Sequence, residues 1–289
     1  MKKIAASELI INDDGSIFHL HVKPDQLADQ IILCGDPERV TMIAGYFDTR
    51  ECELSNREFH TITGVYKGKR LTVVSHGIGC DNIDIVINEL DSLANIDFAT
   101  RTLRPDFRRL TMVRIGTSGG LQPFTPVGSY VAAEKSIGLD GVLYFYKDNK
   151  KVRDPAIEDE LIRQLNWDIE GIRPYVVSAD PSLMEQIAQE DIIRGMTIAA
   201  NGFYGPQGRE LRLPLANAEL NKKIELFNYN NRRITNYEME SSALSGLAAL
   251  MGHRAITVCC IIAGRVAHDM NTDYTRSLPA LIEKVLDRI

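Results

Sequence analysis

Short apolar runs that end in glycine or a small residue, alternating with amphipathic stretches, constrain this chain more than any other feature. "QIILCGD", "RLTVVSHG", "LTMVRIGTSGG", "GSYVAAE", "PYVVSAD", "MTIAANG" and "AITVCCIIAG" read as buried strands. Between them, "PERVTMIAGYF", "NIDIVINELDSLAN", "PAIEDELIRQLNW", "PSLMEQIAQ", "EMESSALSGLAALMG" and "SLPALIEKVLDRI" read as helices, some with proline suited to the first turn. In "EMESSALSGLAALMG", Met239, Ala243, Leu247 and Leu250 make one apolar stripe. This alternation gives an α/β fold around a largely buried, mixed or parallel sheet. Ligands of such sheets sit where strands end and loops begin. No repeat, low-complexity tract or long linker divides the chain, so residues 1–289 read as a single domain.

Several function classes fall away. A formal net charge of −6 argues against nucleic acid as the main partner. Cys34, Cys52, Cys80, Cys259 and Cys260 include no CxxC pair, and strand alternation sends the adjacent Cys259 and Cys260 to opposite faces. We expect neither a disulfide framework nor a zinc site, which suits a reducing cytoplasm. The opening "MKKIAASELIINDDGS" lacks the apolar stretch of a signal peptide, and no segment nears the roughly 18–20 apolar residues of a membrane span. The expectation is a cytoplasmic protein without membrane contact. His19 and His21 alternate in "HLHVK", but no carboxylate or cysteine completes a metal ligand set. In "GIGCDN", Asn82 stands where a dinucleotide fingerprint has its third glycine, and neither GxxxxGK[ST] nor GxSxG occurs.

The strand ends hold the chemistry instead. "CGDPER", "SHGIGCDN", "RIGTSGG", "NGFYGPQGR" and "IIAGRVAHD" bring Arg39, Arg114, Arg209 and Arg265 beside glycines or small residues. Arg57, in "NREFHTITG", is less clearly placed. One surface arginine is usually only solvated. Four at strand ends of an acidic protein point to a phosphate-type ligand. Glycines let backbone N–H groups approach an anion, and guanidinium forks match phosphate oxygens.

"GDPERV" (35–40), "REFHTITG" (57–64), "SHGIG" (75–79), "RIGTSGG" (114–120), "FYGPQGR" (203–209) and "YEMESSAL" (237–244) resemble the nucleoside phosphorylase superfamily, and within it the uridine phosphorylase type. The resemblance runs from about residue 17 to the C-terminus. It implies a mixed central sheet closed into a distorted barrel and flanked by helices. It also implies reversible phosphorolysis, with inorganic phosphate as co-substrate, no organic cofactor, and a homo-oligomer (a dimer or trimer of dimers) whose sites are shared between subunits. Carried over by position, Gly35, Arg39, Arg114 and Thr117 bind phosphate, and Arg57 reaches it from the partner subunit. Met239 and Glu240 hold the ribose. His19 matches the histidine that a neighbouring subunit sets at the ribose 5′-hydroxyl, and Glu58 matches an interface position that binds a monovalent cation in some members. Read from its position alone, Glu240 is equally a helix-start residue favoured by the helix dipole.

"NGFYGPQGRE" then acquires a reading. Uracil presents acceptor, donor and acceptor along one edge; the Gln207 amide meets O4 and N3–H, and Arg209 adds donors to a carbonyl. Phe203 supplies a stacking face. Cytosine reverses the pattern, and each buried mismatch costs roughly 1–3 kcal/mol. A plain Gly/Pro-rich surface turn is the alternative. Purine phosphorylases of this shape carry an aspartate after the strand where this chain has Gly264–Arg265. Arg265 cannot protonate a purine but suits a pyrimidine that departs as an anion. Arg114, Glu240 and Arg265 are thus the catalytic candidates. The segments 178–195 and 266–276 match the family poorly, so a choice among uridine, deoxyuridine and thymidine stays open. So do another phosphorylase or nucleosidase of the superfamily, and a non-catalytic nucleoside-binding homologue.

Overall fold

The computed structural model of the chain describes residues 3–264, 269–270 and 277–289. Its elements run β1 (Gln30–Cys34), α1 (Pro37–Ala44), β2 (Thr49–Asn56), β3 (Phe59–Tyr66), β4 (Lys69–Ser75) and α2 (Cys80–Asn95). Two short strands follow, β5 (Ile96–Asp97) and β6 (Thr102–Leu103), then β7 (Thr111–Gly120), β8 (Tyr130–Gly138), α3 (Pro155–Leu165) and β9 (Tyr175–Ser178). The rest is α4 (Pro181–Ile187), β10 (Ile193–Ala199), α5 (Leu220–Leu226), β11 (Ile234–Glu238), α6 (Ser241–Met251), β12 (Arg254–Gly264), β13 (Asp269–Met270) and α7 (Ser277–Arg288).

Three helices begin in one way. An aspartate caps the end and a proline takes the first turn, where its missing N–H costs nothing. Asp36 accepts from Glu38 N, Asp154 from Ile157 N and Asp180 from Leu183 N. The expected strands and helices are all present.

The sheet is mixed and closes on itself. β7 pairs with β12 in parallel, β12 with β8 antiparallel, and β8 with β10 in parallel. β10 then pairs with β11 in parallel, and β11 returns antiparallel to β7. These five strands form the barrel; the sheet extends from β7 through β1, β4, β3 and β2, with β9 added beside β8 and β13 beside β12. The fold class is the one the sequence pointed to. Helices seal it: Ile83, Val86, Ile87 and Leu90 of α2 and Leu281, Ile282, Val285 and Leu286 of α7 are buried. Each such side chain contributes roughly 1.5–3 kcal/mol. Among the described residues no helix is long and apolar enough to cross a membrane.

Two expectations need correcting. The apolar stripe does not include Met239, because β11 ends at Glu238 and α6 starts only at Ser241. Arg114 is not beyond a strand end but inside β7, opposite Leu33 and Thr257 of its two parallel neighbours. β2, β3, β11 and α5 carry no apolar run that announces them.

Candidate active site

The site is built where parallel strands stop together. β1 and β4 end side by side, with Cys34 opposite Ser75. Gly35 and the His76–Gly79 stretch continue from them, and Gly77 N donates to Gly35 O at 3.0 Å. A Cβ on Gly35 would lie 3.0 Å from Gly77 O, so a side chain there would push the two loops apart. Arg39, in the first turn of α1, is buried; Nη1 donates to Ile115 O at 3.3 Å, while Nε has no hydrogen-bond partner among the described residues. Thr117, further along β7, is partly exposed.

Arg114 is the hub. Its side chain is 5% exposed, and each arm of the guanidinium has a partner. Nε donates to His76 Nε2 at 3.1 Å, Nη1 to Glu238 Oε2 at 2.9 Å, and Nη2 to Glu240 Oε2. Burial works against the arginine charge, but the two carboxylates outweigh it and raise its pKa. Burial also raises Glu238, opposed by Arg114 and reinforced by Glu240. Gly116 makes the room, since a Cβ there would come within 2.8 Å of Arg114 Nη1.

The two glutamates divide the work. Glu238 accepts from Glu240 N at 2.9 Å and from Ser241 N and Oγ, so it is the residue that satisfies the start of α6. Glu240 sits at the cap position yet makes no side-chain cap bond. Its carboxylate instead takes Gly79 N at 2.7 Å and Arg114. Glu240 thus stands at the start of α6, where the helix dipole favours it, but its carboxylate is engaged by the Gly79 loop and by Arg114 of β7 rather than by the N–H groups of α6. Met239 between them is half-buried, and its carbonyl faces Cys80 Sγ at 3.2 Å.

A second cluster follows β10. Gln207 ends a single helical turn over Gly205–Gln207 and is buried. Arg209 Nη1 donates to Gln207 Oε1 and to Phe203 O at 2.6 Å, and its guanidinium lies 3.8 Å from the Phe203 ring centre. Gly208 between them has φ +68, and a Cβ would run into Asn221 at 2.0 Å. Asn221 in turn donates to Gln207 O at 3.1 Å and accepts from Tyr237 OH at 2.9 Å. The expected base-reading trio is thus one unit, braced from beneath.

His19 and Arg57 share another surface. His19 Nδ1 lies 2.6 Å from Glu89 Oε1, and its carbonyl accepts from Asn56 Nδ2 at 2.8 Å. Asn56 adjoins Arg57, which is exposed, has φ +55 and makes no hydrogen bond or ion pair among the described residues. Glu58 accepts from Asn82 Nδ2 at 3.2 Å. Among the described residues no group of three or more His, Cys, Asp or Glu could hold a metal ion. Arg265 lies outside the described residues. Sequence reasoning missed Glu238 and His76, although both lie within quoted motifs; neither spacing nor residue type marks them until the chain folds.

Comparison with known proteins agrees with this geometry. The family model described as "Phosphorylase superfamily" matches residues 29–287. A uridine phosphorylase of Thermococcus kodakarensis is 29% identical over 278 residues, covering 93% of this chain and 85% of the relative. A guanosine phosphorylase of Halorubrum lacusprofundi is 26% identical over 272 residues, covering 94% and 92%. Among solved structures, a Trypanosoma brucei nucleoside phosphorylase, described as showing uridine phosphorylase activity, superposes with a TM-score of 0.86 at 28% identity, covering 96% of this chain and 97% of that one.

Proposed function

The chain belongs to the phosphorylase superfamily, and from that premise we propose that it is a uridine phosphorylase: uridine and phosphate give uracil and ribose 1-phosphate, reversibly. The observation that carries the reading is the buried bond between Arg114 and Glu240 beside Gly35 and Arg39. It joins a cation suited to a phosphate dianion to a carboxylate suited to sugar hydroxyls.

Phosphate is held by Gly35, Arg39, Arg114 and Thr117. It attacks C1′ while the glycosidic bond lengthens, so a ribose with oxocarbenium character lies between the dianion and the departing base. Met239 and Glu240 fix the ribose, and Glu240 accepts from its hydroxyls. Gln207 and Arg209 meet the uracil edge over Phe203, and Arg265 stabilises charge developing on O2. The protein contributes position and electrostatics, with no covalent intermediate.

The single domain works as a homo-oligomer, a dimer or trimer of dimers, in the cytoplasm. Arg57 and His19 complete the neighbouring subunit's site; that they share one surface through Asn56 supports this. A monovalent cation binds near Glu58 at the interface. The guanosine-cleaving relative makes the base the point to test. Assayed with phosphate, uridine should be cleaved far faster than cytidine, inosine, guanosine or adenosine. Efficient inosine or guanosine cleavage would overturn the uracil assignment and leave the phosphate site standing.

A further inference from the structure

We propose that His76 is a positioning residue: an uncharged acceptor that orients the Arg114 guanidinium without adding negative charge to the anion site. The inference rests on the phosphorolysis reading above. His76 follows directly on β4 and is fully buried. Its Nε2 faces Arg114 Nε at 3.1 Å, and an arginine N–H can only donate. Nε2 is therefore the lone-pair nitrogen, and the ring is the neutral tautomer with its proton on Nδ1.

The charges around the ring explain why the acceptor is an imidazole. Two carboxylates, Glu238 and Glu240, already occupy the other arms of Arg114. A third at position 76 would make the cluster more anionic and oppose a phosphate dianion. A leucine would strand a buried, charged N–H. A neutral acceptor avoids both, leaving only the uncharged Nδ1–H buried without a hydrogen-bond partner among the described residues. Burial, then Arg114, then Arg39 hold the imidazole well below the ordinary histidine range, so it keeps the lone pair that Arg114 needs. The ring also packs toward the first phosphate loop, with Cε1 3.8 Å from where a Gly35 Cβ would be.

The test has two arms. In wild-type enzyme, nitrogen-15 NMR of labelled histidine should find one imidazole with an unprotonated Nε2 throughout pH 6–8; a proton on that nitrogen would overturn the proposal. Then His76→Leu and His76→Gln are compared by steady-state kinetics. His76→Leu should raise the KM for phosphate roughly tenfold, as losing a bond to a charged donor does, with the KM for uridine little changed. His76→Gln, which keeps an acceptor, should recover most of that loss. A role in packing alone predicts similar damage in both variants, or equal rises in both KM values, and either result would refute the proposal. Phosphate-independent wild-type activity would remove the phosphorolysis reading itself. Phosphate-dependent wild-type activity with an unaltered His76→Leu would remove only this inference.

Discussion

Glu238 and Glu240 are the same residue type, two positions apart, and the turn of the chain at Met239 gives them different chemistry. Glu238 faces the start of α6 and Arg114 together. Removing it leaves backbone donors unpaired and deprives a buried arginine of one counter-charge. Glu238→Ala should therefore lose about 3–5 kcal/mol of stability in urea unfolding, the cost of breaking a buried pair. A loss below 1 kcal/mol would mean that Arg114 is paired well enough without it. Glu240 satisfies no N–H of α6, and its carboxylate is the one that the proposed function sets at the sugar.

At the scale of elements, apolar runs and proline at helix starts were legible because their signals lie in neighbouring residues of the sequence; the aspartates that cap those helices show only in the fold. β2 was not, since its exposed positions are all polar and only Cys52, Leu54 and Asn56 are half-buried, at the end of the sheet. β11, reading ITNYE, is wholly buried, yet several of its polar residues find partners far off in sequence; Asn236 bonds Ser118 and Thr197, and Tyr237 bonds Asn221. For the same reason the arginines and Gln207 could be picked out from motifs, whereas Glu238 and His76 could not. Their value lies in long-range contacts with Arg114. The loop after β10 shows both sides: its Gln–Gly–Arg was readable, but its bracing by Asn221 was not. Gly208→Ala would place a Cβ at positive φ against Asn221. It should raise the KM for uridine several-fold and leave the KM for phosphate unchanged. An unchanged uridine KM would separate this loop from base recognition.

Across the whole molecule, the closed barrel explains why residues far apart in sequence act together. Strand ends of β1, β4 and β11 bring Gly35, Gly79 and Glu240 around Arg114 of β7. Such a cluster gains little from water as the attacking group and much from a dianion that several cations can hold. The central claim is thus phosphorolysis rather than hydrolysis. The most direct measurement is to incubate uridine with purified enzyme in the presence and absence of inorganic phosphate, following uracil release and the sugar product by phosphorus-31 and proton NMR. Phosphorolysis gives ribose 1-phosphate in step with uracil, and negligible uracil without phosphate. Uracil released at equal rates in both, with free ribose as the product, would contradict it.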